Sequence, residues 1–208
     1  MLDYFQQSSD ELIDATLEHL VLILQSLGIA LVLATILTVV ILKFPKLENF
    51  SVYSLSLFYA IPSFALFALL IPWTGLGRLT AIIVLVFYAQ YILVRTFLTG
   101  IHKVDSSIVE AAFGMGMDFW QVLFKIQLPL AKSAIFSAIR LATLSIVAIA
   151  TIAATINAGG LGTILFDGLR TMSVIKLSWG ILLSVGLSLF LSWIISLVEI
   201  LFEQPETA

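Results

Sequence analysis

The chain has 208 residues, of which 61% are hydrophobic and only 11% are charged, and its mean hydropathy is +1.13. A soluble domain is usually closer to half apolar and a quarter charged, so the composition excludes that class and indicates one integral membrane domain. The net charge of −3 does not define a class of partner, and the absence of cysteine excludes disulfides, thiolate metal sites and cysteine nucleophiles.

Five apolar runs follow along the chain, each about as long as a helix needs to be to cross a bilayer. They cover residues 19–42, 52–72, 79–99, 133–156 and 177–198. Because the runs are continuous rather than alternating, we predict an all-α membrane protein with about five transmembrane helices, within a transmembrane domain of residues 19–200. Residues 1–18 contain five acidic residues and no lysine or arginine, so they are predicted to be an N-terminal tail and not a signal peptide.

The positions of the basic residues predict the orientation of these spans. Lys43 and Lys46 follow the first span, and Lys103, Lys125 and Lys132 lie between the third and fourth. Loops rich in lysine and arginine stay in the cytoplasm. We therefore expect the loop between spans three and four and the C-terminal tail, residues 201–208, to be cytoplasmic, with the N-terminal tail outside the cell.

The long loop, residues 100–132, contains the stretch "EAAFGMGMDFWQVLFKIQLP". Gly114 and Gly116 weaken a helix, whereas Asp118 with Gln121 three residues later matches a capping box. The pattern predicts a helix, a glycine bend, a second short helix and then a proline at the entry to span four. Two short helices joined by a bend would present a surface that suits the docking of a soluble partner. The alternative is an amphipathic loop that lies on the membrane surface.

The same stretch resembles the EAA motif of the permease subunits of ABC importers, which reads E-A-A, three residues, G, nine residues, I, any residue, L-P. All seven fixed positions match: Glu110, Ala111, Ala112, Gly116, Ile126, Leu128 and Pro129. The resemblance implies a coupling helix in a groove of the ATP-hydrolysing subunit. Contact or close approach to that subunit would fall to Glu110, Ala111, Ala112, Gly114 and Gly116. The other three motif residues would anchor the loop to span four.

Two further stretches, residues 60–117 and 150–169, resemble the osmoprotectant branch of these importers, whose substrates are glycine betaine, carnitine and choline. Asn157 stands where that branch usually has a glycine. The resemblance implies the type I ABC importer fold in a bacterial cell membrane. It also implies two permease subunits, identical or related, two ATPase subunits and an extracellular substrate-binding protein, with no nucleic-acid partner.

The sequence contains no P-loop pattern, so ATP and Mg²⁺ are expected on the partner ATPase, and this chain is expected to be a transport subunit rather than an enzyme. His19 and His102 are solitary, and no group of residues has the spacing of metal ligands, so no cofactor or metal is expected here. Two alternatives stay open: a permease for another small solute, such as an amino acid derivative, and a non-transporting membrane scaffold. An intramembrane enzyme would need paired carboxylates, a histidine cluster or an activated serine within the spans.

Pro62, Tyr88 and Arg140 are candidates for the translocation path. Pro62 lacks an amide hydrogen and would kink span two. Arg140 either extends to the interface or makes a polar contact between helices. Six aromatic residues suit either an interfacial belt or cation–π binding of a quaternary ammonium, and we favour the belt: Tyr59, Trp73, Tyr88, Tyr91, Trp179 and Trp193. We also expect no cluster in the spans to combine an anion site with aromatic rings, which would leave substrate selection to the binding protein.

Overall fold

The computed structural model describes residues 2–202, and their secondary structure is entirely helical. The nine α-helices are α1 Leu2–Lys43, α2 Glu48–Ala60, α3 Ser63–Thr74, α4 Arg78–His102, α5 Ser106–Gly114, α6 Phe119–Val122, α7 Leu128–Ala153, α8 Leu161–Arg170 and α9 Val174–Phe202. Short 3-10 turns at Pro45–Leu47 and Ala154–Ile156 and a π-helical turn at Leu123–Gln127 connect some of them.

Helix α4 is the centre of the fold, because it packs against α1, α7 and both helices of the α2–α3 pair. Small residues let α4 and α7 approach closely, as is usual for helices packed in lipid. A Cβ atom placed on Gly100 of α4 would lie 2.5 Å from the Cβ of Ala134 in α7. Further along α7, Ala138, Ala142 and Ala150 are completely buried. Most of the exposed side chains on the spans are large and apolar, as a lipid-facing surface requires.

Within the described residues, four helices are long and apolar enough to cross a membrane: Tyr4–Lys43, Arg78–His102, Phe119–Ile156 and Val174–Phe202. The count rises to five if the α2–α3 pair forms one broken span. The predicted all-α fold with about five spans is therefore confirmed. The predicted third and fifth spans fall within α4 and α9, and each helix extends a few residues beyond them.

Helix α1 begins at Leu2 and has a kink at Ser8, so most of the predicted N-terminal tail is helical and residues 9–18 continue directly into span one. The acidic residues from Asp10 to Glu18 lie on exposed positions, while Leu12 and Ala15 are buried and continue the apolar stripe of the span. The ring of Phe5 also stacks on Trp179 of α9 at 5.2 Å between centroids. Packing against α9 therefore extends the helix past the point where hydropathy alone would begin it. Of the predicted C-terminal tail, residues 203–208 lie outside the described residues.

The predicted second span is not one kinked helix but two helices at 95° to each other. Ile61 and Pro62 both have extended backbone conformations, with ψ of 131°. A residue before proline avoids the α region, and proline itself cannot donate the next helical hydrogen bond. The prediction that Pro62 interrupts the second span is confirmed, and the resulting bend of 95° is much larger than the predicted kink.

A glycine-rich bend follows α7 and the 3-10 turn at its end. Asn157, Gly159 and Gly160 all have positive φ, at 64°, 78° and 81°. Asparagine tolerates the left-handed region better than most residues, which explains how Asn157 can adopt a conformation that usually favours glycine. The Glu18 side chain of α1 accepts a hydrogen bond from the Gly160 amide at 3.0 Å. Helix α8, which follows this bend, had not been predicted.

Candidate functional site

The motif resembling EAA lies on α5, a short helix with a well-formed start. Asp105 is its N-cap and accepts a hydrogen bond from the backbone amide of Ser107 at 2.9 Å. That bond, with a second from the Ser107 hydroxyl, lowers the pKa of the Asp105 carboxyl. The carboxylate also lies at the positive end of the helix dipole, where a negative charge is favourable. Helix α5 therefore has a defined first turn despite its nine residues.

The motif residues face in two directions. Glu110 and Ala111 are exposed, as is Gly114 one turn after Glu110, whereas Ala112 is only 1% exposed. Among the described residues, Glu110 has no hydrogen-bond or ion-pair partner. Helical spacing thus divides the motif: Ala112 packs inward against the protein, and the others present a small surface with one charge. Phe113 and Met115, which are also exposed, border this surface.

Gly116 has a conformational role that the motif alone did not reveal. Its φ is 85°, and a Cβ atom placed there would meet nothing within 4 Å. Its amide donates to the Phe113 carbonyl at 2.9 Å, and the Met117 amide donates to the Ala112 carbonyl at 3.1 Å. This pair of bonds is the Schellman motif, with Gly116 at the left-handed position that ends a helix. Gly116 therefore sets the bend, and its conformation rather than lack of space requires glycine.

The second short helix begins with the predicted capping box. The Asp118 carboxylate accepts from the Gln121 amide at 2.9 Å, and the Gln121 side chain accepts from the Asp118 amide at 3.1 Å. Val122 is buried behind this cap, while the exposed Trp120 ring stacks on Phe124 at 6.0 Å between centroids. Both the bend and the cap of the long loop are therefore confirmed.

The end of the loop differs from the prediction, because α6 runs through the π-helical turn directly into α7. The Leu128 amide donates to the Leu123 carbonyl, five residues earlier, which is the π spacing. Pro129 has no amide to donate, and a wide turn just before it absorbs the lost bond. Leu128 packs with Ile101 and Leu123 in a small apolar cluster, while Ile126 is half-buried and Pro129 is exposed. The sequence missed the continuity because proline usually separates helices.

Two of the three candidate path residues meet at the break between α2 and α3. The Tyr88 hydroxyl donates a hydrogen bond to the Ile61 carbonyl, next to Pro62. The break leaves that carbonyl without its helical partner, and an unpaired polar group is costly in lipid. Tyr88 thus fixes the end of α2 against α4.

The third candidate, Arg140, lies elsewhere and has a carboxylate partner. Its guanidinium donates to Glu199 of α9 and, at 3.1 Å, to the Ser137 hydroxyl. The side chains of Arg140 and Glu199 are 25% and 15% exposed. The inter-helix contact is therefore present. Sequence reasoning missed Glu199 because it lies one residue beyond the predicted end of span five.

The structure brings three tyrosines and one arginine together near the break between α2 and α3, while the expectation that the spans contain no anion site beside aromatic rings stays a prediction. Tyr59 of α2 lies 5.6 Å from Tyr88 and 4.9 Å from Tyr91 of α4, measured between ring centroids. The Arg95 guanidinium lies over the Tyr91 ring, 5.5 Å from its centroid. The break at Pro62 brings the end of α2 to this face of α4, a tertiary contact that hydropathy does not encode.

Comparison with known proteins identifies the family. Residues 26–203 match the family model of the binding-protein-dependent transport system inner membrane component. The chain belongs to this family. It is therefore a multi-pass membrane component of a bacterial ABC importer, and ATP hydrolysis belongs to a separate subunit.

Individual relatives match over most of this family member's length. The carnitine transport permease protein OpuCB of Listeria monocytogenes is 34% identical over 82% of this chain and 78% of the relative. The glycine betaine/carnitine/choline transport system permease protein OpuCB of Bacillus subtilis is 29% identical over 96% of this chain and 92% of the relative. Among solved structures, the inward-facing MetNI methionine ABC transporter superposes with a TM-score of 0.84, covering 93% of this chain and 96% of that one at 20% identity. That likeness establishes the fold.

Proposed function

We propose that this permease carries quaternary-amine osmoprotectants, namely glycine betaine, carnitine or choline, into a bacterial cell. The support comes from relatives whose names state these substrates and which align with most or nearly all of the chain. The observation that carries the coupling role is the exposed Glu110, which has no hydrogen-bond or ion-pair partner in the part of the chain that the structure describes and lies on a capped helix that ends in a glycine bend.

We propose a complex of two such permease subunits, identical or related, with two ATPase subunits and an external substrate-binding protein. The surface formed by Glu110, Ala111 and Gly114 would enter a groove of the ATPase. Small residues permit close backbone approach, and the exposed Phe113 and Met115 add apolar contact. Ala112 would act indirectly, by packing α5 against the rest of the chain. Ile126, Leu128 and Pro129 would hold the loop to α7.

The proposed mechanism is alternating access. Closure of the two ATPases on ATP would move α5, open the path to the binding protein and let the solute enter; hydrolysis would reset the path inward. The long loop would be cytoplasmic and the start of α1 outside, as the lysine distribution suggests. Pro62 and Tyr88 would shape the path at the α2–α3 break, and Arg140 would hold α7 to α9 beside it.

Uptake by the reconstituted complex tests the substrate class. Proteoliposomes would contain the permease and ATPase subunits, and loaded binding protein would be supplied on the outside. ATP-dependent uptake of glycine betaine, carnitine or choline supports the proposal. Uptake of an amino acid derivative with none of these three would replace the substrate class, and an absence of any uptake would favour a scaffold.

Substitution of Glu110 tests the coupling role. Glu110→Lys reverses the charge on the docking surface, so we expect at least a tenfold loss of ATPase co-purification or of substrate-stimulated ATP hydrolysis. The protein itself should still insert and fold, because Glu110 is exposed and has no hydrogen-bond or ion-pair partner among the described residues. Asp14→Lys is the matched control, since it reverses an exposed acidic residue on α1, far along the chain from the loop. Near-normal values of both measurements for Glu110→Lys would refute the role.

A further inference from the structure

An aromatic and cationic cluster lies where α2 ends beside α4. Tyr88, Tyr91 and Arg95 are spaced at i, i+3 and i+7, so they share one face of α4 over about 10 Å of helix. Tyr59, from the last turn of α2, lies against the first two rings at 5.6 and 4.9 Å between centroids. We call Tyr59, Tyr91 and Arg95 the zwitterion cluster.

The cluster is held in place by a contact that leaves its rings available. Tyr88 is 6% exposed and uses its hydroxyl to hold the Ile61 carbonyl at the broken end of α2. This bond fixes the position of Tyr59, which stands two residues before Ile61. Tyr59 itself is 38% exposed, so part of its ring is open to a solute. The open ring surface is electron-rich, which is the chemistry that attracts a quaternary ammonium.

Arg95 supplies the opposite half of such a site. It lies within a candidate span, donates one hydrogen bond to the Tyr91 hydroxyl and stacks on that ring. No carboxylate among residues 4–202 lies within 4.0 Å of its guanidinium, in contrast to Arg140, which has Glu199. An arginine in a span normally faces a partner or a water-filled cavity, and its planar donors match a carboxylate. The N–H groups of Arg95 that do not bond Tyr91 have no carboxylate partner among residues 4–202, so they are free to bind a carboxylate from outside the chain.

We propose that the zwitterion cluster is a transient binding site in the translocation path for a solute with both a quaternary ammonium and a carboxylate. The ammonium would rest on the Tyr59 ring, and the carboxylate would pair with Arg95. This inference rests on the proposed function, and it adds that the permease itself distinguishes choline from the other two substrates. Glycine betaine and carnitine contain both groups. Choline has no carboxylate, so Arg95 repels its positive charge without compensation.

The experiment measures uptake of glycine betaine and choline separately, each at saturating loaded binding protein, by the full complex in proteoliposomes. Saturation removes the selectivity of the binding protein from the comparison. We expect Arg95→Gln to lower the betaine-to-choline ratio of maximal uptake at least tenfold, whereas Arg95→Lys, which retains the charge, stays within threefold of wild type. A purely structural role would reduce uptake of both solutes equally and leave the ratio unchanged, which would overturn the proposal.

Tyr59 provides the second arm. Tyr59→Leu removes the ring and should reduce maximal uptake of both solutes at least fivefold, whereas Tyr59→Phe preserves the ring and should retain most of it. Tyr53→Leu is the matched control, because Tyr53 is an exposed tyrosine on the same helix outside the cluster. Equal effects of Tyr59→Leu and Tyr53→Leu would also overturn the site. If the wild-type complex transports none of glycine betaine, carnitine and choline, the proposed function itself fails, a result distinct from transport with an unchanged ratio.

Discussion

The ion pair between Arg140 and Glu199 gives the sharpest test of how α7 and α9 are held together. Removing one partner of a buried pair costs about 3–5 kcal/mol, because the other charge is left uncompensated. Exposed pairs contribute only about 0.2–1 kcal/mol. With side chains 25% and 15% exposed, this pair lies between the two cases. We therefore expect Arg140→Leu or Glu199→Leu to destabilise the protein by about 2–3 kcal/mol each.

The double substitution separates a specific pair from two independent contributions. Replacing both charges with apolar side chains removes the uncompensated charge and adds packing, which is often neutral or stabilising. We expect the Arg140→Leu, Glu199→Leu double variant to unfold within about 1 kcal/mol of wild type, although the singles sum to about 4–6 kcal/mol. The Ser137 hydroxyl, the other acceptor of Arg140, can turn to a backbone carbonyl in that variant.

The measurement is the free energy of unfolding in detergent micelles, followed by tryptophan fluorescence during titration with sodium dodecyl sulfate. Four tryptophans provide the signal. Additive destabilisation, with a coupling energy below about 0.5 kcal/mol, would refute the reasoning. It would mean that each charge is solvated separately at the interface.

Three further predictions follow from glycine geometry and from one carboxylate. Gly162→Ala should prevent folding or cost several kcal/mol, because the new Cβ would lie 1.9 Å from the Thr151 carbonyl oxygen; thermal unfolding of the purified subunit measures this, and an unchanged midpoint would contradict it. Gly116→Ala should destabilise the bend by about 1–2 kcal/mol at its φ of 85° and weaken ATPase co-purification, whereas Gly114→Ala, in a helical conformation with open space, should not destabilise α5. The pKa of the Asp167 carboxyl is below its ordinary value of 3.8, because Lys176 and then Arg170 donate hydrogen bonds to it. The ionised carboxylate therefore stabilises the folded protein above pH 3.8, and this stabilisation is lost as the pH falls through the lower pKa of the folded state. Acid titrations of the free energy of unfolding should show this loss in the wild type and not in Asp167→Asn.

The sequence predicted the features of this protein that depend on local chemistry. The capping box at Asp118, the glycine bend at Gly116 and the break at Pro62 each follow from the backbone preferences of a few adjacent residues. The long apolar runs predicted the membrane spans, because a segment in lipid must satisfy its own backbone hydrogen bonds as a helix. The extent of the bend at Pro62 was not predictable, because tertiary contacts with α4 select it.

The features that the sequence could not predict depend on contacts between distant residues. Glu18 bonds the Gly160 amide, and Glu199 pairs with Arg140; in each case an acidic residue just outside a predicted span meets a group that is distant in the sequence. Hydropathy treats such residues only as span boundaries. The three residues of the zwitterion cluster come together because the Tyr88 hydroxyl holds the end of α2 against α4, and no spacing rule in the sequence relates the end of α2 to Arg95.

The continuity of α6, the π-helical turn and α7 gives the long loop a direct mechanical connection to the spans. A flexible loop would dissipate a displacement of α5, whereas helical segments joined over Phe119–Ile156 transmit it along their axis. The backbone can bend at two places along this connection. One is the glycine bend at Gly116, which separates α5 from the continuous helical segment that starts at Phe119. The other is the π-helical turn before Pro129, where the helical hydrogen bonding is already altered. A movement that α5 receives at the bend would therefore tilt α7 as a unit, and the pairing of Arg140 with Glu199 would carry α9 with it.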